Sequence, residues 1–351
     1  MIPSPERIGL KLAYINHQEK EPPVDHGFND PYDFIKTTIG KHKIHHNRME
    51  WAGKILFPSW LTPKPMLRDK LKLTSRKMND FLENNGCWRW ALSVANYIHK
   101  EIYPNMPVMI GVDHSLTGGS IMALGDKNPN LNVVILDAHF DVMNPIGVYP
   151  QDNPGRRAVF FSPEDKQMES ENPLNYYGCG NFLDHLLKKN IISPKNLWIV
   201  GVQDEIHREL KAGASFMRGG FGLNTPSIKK WMEAGVHVIF KHEAKSGNFV
   251  IALSGPTYLS IDMDVGSLSS IYSARFMNSY GLNTREFLHL LRKVSRFIRS
   301  SHFPLLGLDM MEFDIHFFEA IKEKKIDDRT EEIVKEIFKL FIDKNGCKYE
   351  S

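Results

Sequence analysis

Three apolar, β-rich runs in this chain each lead into a cluster of aspartate or histidine. Leu131–Leu136 runs into Asp137-Ala138-His139-Phe140-Asp141, and Tyr258–Ile261 runs into Asp262-Met263-Asp264. Val108–Ile110 is followed, after Gly111-Val112-Asp113, by His114. Short runs of this composition predict buried strands. Side chains at i, i+2 and i+4 of an extended segment point the same way. Asp137, His139 and Asp141 therefore converge from one strand end, and Asp262 with Asp264 from another. In open α/β sheets, ligands bind beyond the carboxyl ends of the strands, where the winding reverses. The expected fold is α/β: three α-β-α layers around a mostly parallel sheet.

Two imidazoles and four carboxylates at one place can hold two hard divalent cations around one water. Oxygen-rich sites suit Mg or Mn over thiolate metals, and the two imidazoles favour Mn. A paired site of this kind can deprotonate a bridging water near neutral pH, which points to a hydrolase. A lone Asp-x-Asp is more often a strand-end cap or turn former. Three such clusters, each placed after an apolar run, are better explained by a metal centre.

These segments resemble the arginase–agmatinase (ureohydrolase) superfamily. Gly111-Val112-Asp113-His114-Ser115 is similar to that family's G-G-D-H-S, Asp137 to Asp141 matches D-A-H-x-D, and Ser260 to Asp264 matches S-x-D-x-D, in the family's order. The likeness runs from about Cys87 to about Phe318. It implies an arginase-like fold and two Mn(2+) ions per chain. Asp137 and Asp262 would bridge them, with His114 and Asp141 completing one site and His139 and Asp264 the other. Gly307-Leu308-Asp309-Met310-Met311-Glu312 resembles G-L-D-I-M-E, which implies that Glu312 clamps a guanidinium by charge-assisted hydrogen bonds. Gly281 to Glu286 resembles G-G-L-T-x-R-E, one residue shorter, and implies that Thr284 lies near the metals and opens a helix. The implied reaction is attack of hydroxide on a guanidinium carbon, with Asp141 and Glu312 in the catalytic machinery, releasing urea and an amine.

The departures from the family bear on the substrate. The short loop that grips the α-carboxylate of free arginine is replaced by a long stretch from Val142 to Gly180, rich in Pro, Asn, Gly and Tyr. Loops this long are usually functional or disordered. In the segment similar to G-L-R-D-x-D, Asp204 fits the first acid as a substrate contact, but Ile206 stands where the second would receive an ammonium group. Cys179 occupies the place of the family's proton-shuttle histidine. His185, one turn further on, is the expected replacement, with His242 as the other candidate. Ser267-Leu268 replaces a D-P pair that is outside the six ligands. A guanidinium reader that ignores free-amino-acid ends suits arginine inside a peptide, converted to ornithine as in atypical peptide arginases. Tyr149, Tyr176, Tyr177 and Phe182 would line a peptide groove, or else form small core clusters under the loop. Free arginine, agmatine or formiminoglutamate is the alternative substrate, with Arg156 or Arg157 reading carboxylates in the last case. A non-catalytic binding protein of the same fold is the other class, and a single-metal deacetylase would not need all six ligands.

With 351 residues the chain can bury a large core. We expect residues 1–75 as an N-terminal extension packed on a catalytic domain of 76–345, interrupted by the loop at 142–180. The net charge of +3 gives no reason to invoke nucleic acid. No run is long enough to span a membrane, and the first residues lack a signal-peptide pattern. The 3 cysteines lack metal-finger spacing and suggest a reducing cytoplasm. Helices are expected at Met78–Ile102, Asn181–Lys189, Thr225–Ala234, Thr284–Arg299 and Asp328–Phe341, and further strands at Leu197–Val202 and Val236–Phe240. The last helix carries Ile333, Ile337, Leu340 and Phe341 at core spacing, although homo-oligomers are common in the family.

Overall fold

The apolar runs singled out above become strands. The computed structural model describes residues 31–42, 49–55, 80–81, 84–142, 177–204, 206–208, 225–267, 270–274, 281–313 and 327–343. In it, β1 (Val108–Ile110), β2 (Asn132–Leu136), β3 (Leu197–Val202), β4 (His237–Phe240), β5 (Thr257–Asp262) and β6 (Leu305–Met311) form one sheet. Its order is β1-β6-β5-β2-β3-β4, and every neighbouring pair is parallel. Leu136 pairs with Ile261, Ile261 with Met310, and Met310 with Ile110. The four strands that carry the clustered acids and histidines therefore end level, along one edge of the sheet.

The inner strands β2, β3, β5 and β6 are buried on both faces, as in other parallel sheets, while the edge strands β1 and β4 are in part half-buried. Val133, Ile135, Leu197 and Ile199 point into one core. That layer is closed by α2 (Gly86–Tyr97), α3 (Thr117–Gly125), α4 (Phe182–Lys188) and α5 (Thr225–Glu233). Val134, Leu136, Leu259, Ile261, Leu308 and Met310 point into the other, beneath α1 (Pro31–Lys41), α6 (Lys241–Ser246), α7 (Thr284–Ser300) and α8 (Thr330–Ile337). Alternation along β2 thus divides one strand between two cores.

Local sequence explains the helices. Asn283 accepts a hydrogen bond from the Glu286 amide while the Glu286 carboxylate accepts from the Asn283 amide, a capping box that starts α7. Phe287, Leu290, Leu291, Val294 and Ile298 then line its buried stripe. In contrast, α3 carries no charge and is buried from Thr117 to Leu124. Its Gly119 lies against α2 so closely that an added Cβ would stand 2.2 Å from the Ala91 carbonyl oxygen. The helix expected from Met78 is divided: α2 begins at Gly86, after Asn85 takes a left-handed turn at φ 53°, and its last part widens into a π-helical turn at Ile98–Ile102. An Asn-Asn-Gly sequence is a turn former, and it overrides the helical pattern. The expected C-terminal helix likewise continues beyond α8 as a π-helical turn, Phe338–Asp343.

The N-terminal α1 packs on the body through Ile35 and Ile39, and Glu331 of α8 receives His42 at 2.5 Å and Lys41 at 3.2 Å. The expected boundary between extension and catalytic domain, and most of the 142–180 loop with Tyr149, Arg156, Arg157 and Tyr176, lie outside the described residues. Tyr177 and Phe182 are in the core, 3% and 0% exposed, so they do not line an open groove. Among the described residues no helix is long and apolar enough to cross a membrane.

Candidate metal centre

The level strand ends bring the expected side chains together. His114 is buried, and three carboxylate oxygens face its Nδ1: Asp141 Oδ2 at 3.0 Å, Asp262 Oδ2 at 3.1 Å and Asp137 Oδ2 at 3.3 Å. Next to this group, His139 Nδ1 lies 3.0 Å from Asp264 Oδ2 and 3.5 Å from Asp137 Oδ1. Asp137 belongs to both groups and turns one oxygen to each. Asp262 turns Oδ2 to the His114 side, while its Oδ1 accepts the Asp264 amide at 2.9 Å. Asp137 Oδ1 accepts the His139 amide at 2.6 Å. These short Asx contacts fold each strand end back so that alternate side chains share one space.

Two residues of the candidate site, Asp141 and Glu312, hold backbone conformations that side chains rarely adopt. Asp141 has φ 47° and Glu312 has φ 66°. Such turns cost on the order of 1–3 kcal/mol each and tend to gather at functional sites. Each lies just past a strand end, β2 for Asp141 and β6 for Glu312. Gly201 in β3 supplies a third special turn, at φ 107°: a Cβ there would meet Val265 at 2.6 Å and the Asp137 carbonyl at 3.2 Å.

Electrostatically the pocket is overloaded with negative charge. Burial pushes the Asp141 carboxyl up to about 7, with Asp137 adding to the rise. Burial raises Asp262 well above the carboxylate range, together with Asp264 and Asp137. Burial raises Asp264 as well. Asp137 goes the other way: burial would raise it, but His114 and His139 hold it far below the usual value. Burial would lower both imidazoles, yet Asp137, Asp141 and Asp262 lift His114, and Asp264 and Asp137 lift His139. Buried His114 Nδ1 and Asp264 Oδ1 make no hydrogen bond. Hard oxygen donors, imidazole nitrogens and orphaned polar atoms in one largely buried pocket fit divalent cations, which would neutralise the carboxylates. His139 is 25% exposed on its side chain while His114 is 0%, so the pocket opens on the His139 side.

The remaining candidates are placed unequally. Buried Glu312 accepts the His114 amide on Oε1 at 2.9 Å, beside the cluster. Thr284 opens α7 two residues after Leu282, which pairs with Gly266, itself two residues after Asp264. His185 is half-buried on α4 and sets its ring edge-on to Tyr177 at 5.6 Å. It is Phe182, at the start of that helix, that packs on the His114 ring at 4.9 Å. Asp204 is paired with His242: its Oδ1 lies 2.6 Å from Nδ1 and accepts the His242 amide at 3.0 Å. Partial burial opposes it, but His242 holds the Asp204 carboxyl below its usual value. Cys179 is buried and in no disulfide, and Ile206 is only 2% exposed, within the apolar core.

The sequence reading assigned nothing to Ser260 or Asp309, although both lie inside quoted motifs. Ser260 Oγ lies 2.9 Å from His114 Nε2 and donates to Asp309 at 2.5 Å. The available signal was an acid within the apolar stretch Leu305–Met311, where a charge without a task is costly.

The chain is 26% identical over 221 residues to the arginase of Saccharomyces cerevisiae, covering 62% of this chain and 60% of that protein. It is 24% identical over 205 residues to Arginase-1 of Bos taurus, covering 58% and 57%. It thus spans less than two thirds of the length of these curated relatives. Among solved structures, the arginase of Bacillus cereus superposes with a TM-score of 0.49 at 15% identity, over 88% of this chain and 91% of that one. Proclavaminate amidino hydrolase from Streptomyces clavuligerus gives 0.47 at 21%, over 72% and 68%. The profile described as "Arginase family" matches residues 83–319, well over half of the sequence, and the chain belongs to that family.

Proposed function

We propose that this protein is a binuclear Mn(2+) hydrolase that converts arginine within a peptide to ornithine, releasing urea. The observation that carries the binuclear reading is the position of Asp137, whose two oxygens face two separate His/Asp groups. His114, Asp137, Asp141 and Asp262 would hold one cation, and His139, Asp264, Asp137 and Asp262 the other. Bound there, the ions supply Lewis acidity and a hydroxide nucleophile near neutral pH.

This chain's own residues supply the rest. The Glu312 carboxylate receives the guanidinium in a charge-assisted pair and orients its carbon toward the pocket. Its strained turn and its bond to the His114 amide fix that orientation. Thr284, at the start of α7, would border the same space. Oxygen adds to the guanidinium carbon, and the C–N bond to the side chain then breaks. Asp141 holds the proton released by the attacking water and gives it to the departing amine. His185 carries protons between pocket and solvent in this scheme. His242 is the rival carrier: it is half-exposed, and Asp204 holds its Nδ1, which leaves Nε2 to exchange. Asp204 then contacts substrate as part of that pair. A shifted pH profile of turnover in either His185→Ala or His242→Ala, but not both, identifies the carrier.

The peptide reading is supported by the fate of the amino-acid seat. Ile206 is buried in the core, and the neighbouring acid is already engaged by His242. Among the described residues of this segment, no acid stands at the Ile206 place to receive an ammonium group. The test is to load metal-free protein with Mn(2+) and offer free arginine and an arginine-containing peptide, reading urea and peptide mass. Urea from the peptide alone supports the proposal. Urea from free arginine returns the chain to ordinary arginase activity. If agmatine or formiminoglutamate is the only compound hydrolysed, the substrate is a small guanidine or formimino compound.

A further inference from the structure

We infer that Asp309 is a positioning residue for the His114 metal site, acting through Ser260 to present the Nδ1 lone pair of His114 to the cation. This rests on the binuclear reading above and goes one layer beyond its ligands. Asp309 is fully buried in the middle of β6, and its partner across the sheet in β5 is Ser260. The strand register alone therefore places the carboxylate beside the hydroxyl.

Three hydroxyls converge on this carboxylate. Ser260 Oγ donates to Oδ1 at 2.5 Å, Thr117 Oγ1 donates to Oδ2 at 2.6 Å, and the Tyr258 hydroxyl also donates to Oδ2. A carboxylate in this position only accepts, and a serine hydroxyl has one hydrogen to give. Ser260 gives that hydrogen to Asp309. Its contact with His114 Nε2, at 2.9 Å, must then run the other way, with the imidazole donating. The neutral ring so fixed carries its lone pair on Nδ1. That is the atom facing Asp137, Asp141 and Asp262 at 3.0–3.3 Å. A lone pair aimed at three carboxylate oxygens is repulsive unless a positive charge lies between them, either the Nδ1 proton that those carboxylates favour or a metal ion that replaces it. The hydrogen-bond chain thus selects the tautomer that metal binding requires and stabilises it from behind.

The other donors to Asp309 supply an internal control. Tyr258 reaches the same carboxylate without lying on the path to His114. A purely structural role for Asp309 would be damaged by losing either donor. The positioning role is damaged only by losing Ser260 or Asp309. The experiment is a titration of metal-free protein with Mn(2+), counting the free ion by its EPR signal, with a parallel Co(2+) titration read by visible absorption. The wild type is expected to take two equivalents. Ser260→Ala and Asp309→Asn are expected to bind one equivalent normally and the other about 10- to 100-fold more weakly, the usual loss on removing such a partner. Ser260→Thr keeps the hydroxyl and restores the second equivalent, and Tyr258→Phe binds both as the wild type does. Circular dichroism identifies any variant that fails to fold; if Asp309→Asn does, the Ser260 pair decides. Two equivalents of undiminished affinity in Ser260→Ala overturn the inference, as does an equal loss in Tyr258→Phe. A wild type that takes fewer than two equivalents overturns the binuclear reading itself.

Discussion

At the scale of the residue, the proposed centre depends on a few atoms that cannot be exchanged. Asp137→Asn should abolish turnover and lower the occupancy of both cations, because its two oxygens face both groups. Asp264→Asn should mainly weaken the site on the His139 side. Metal analysis of the two purified variants checks the difference, and equal loss in both would refute the division into two sites. Glu312→Gln retains an oxygen to accept the His114 amide. It should therefore keep fold and metals while the substrate concentration needed for turnover rises, by tenfold or more for about 1.5–3 kcal/mol of charged hydrogen bond. Metal loss in that variant would instead make Glu312 structural. How much of this was legible follows from geometry. A period of two places Asp137, His139 and Asp141 on one side of a strand end without any knowledge of the sheet. The partnership of Ser260 and Asp309 depends on the pairing of β5 with β6, and no local pattern encodes a register between distant segments.

Elements show the same division. The strands β1 to β5 stand out in the sequence because they are short, mostly apolar and β-rich runs. As a strand, β6 was not read: Gly307, Asp309 and two methionines dilute its β-propensity, and only its place between β1 and β5 overrides them. The helix α3 was missed because Gly118-Gly119 weakens helical propensity. Those glycines are there for packing. Gly119→Ala should force α2 and α3 apart and destabilise the fold by about 1–3 kcal/mol, measured by denaturant titration. An unchanged midpoint would mean that the helices separate at no cost. At the other face, α1 is held to α8 by Glu331. Partial burial opposes it, but His42 and Lys41 keep that carboxyl below its ordinary value. The contribution is present above the ordinary carboxylate pKa and is lost as pH falls through the lowered one. Hydrogen exchange at Ile35 and Ile39 should thus quicken in acid, and Glu331→Gln should show the same opening at neutral pH. Both effects are small, because the pair is partly exposed.

For the whole molecule, the crowding of anions at one edge of the sheet makes folding and metal binding a single problem. Cations that bind only the native state should stabilise it by about 2.7 kcal/mol per site at a hundredfold excess over Kd. The melting temperature should rise with Mn(2+) and fall with chelator, and a melting temperature indifferent to both would argue against a native metal centre. The fold class was readable because apolar runs alternate with helical segments. The proposed substrate side was less so: the pairing of Asp204 with His242, for one, is announced by no motif. The placement of β6 between β1 and β5 has a further consequence, for the order of events in synthesis. His114 is made 198 residues before its partner Glu312. Until β6 emerges from the ribosome, β1 has no neighbour and the exposed edge of β5 is open, so a nascent chain holds ligands with no enclosure. The proposed centre closes only when this late strand slides between two early ones, and metal loading there would wait until β6 has been made.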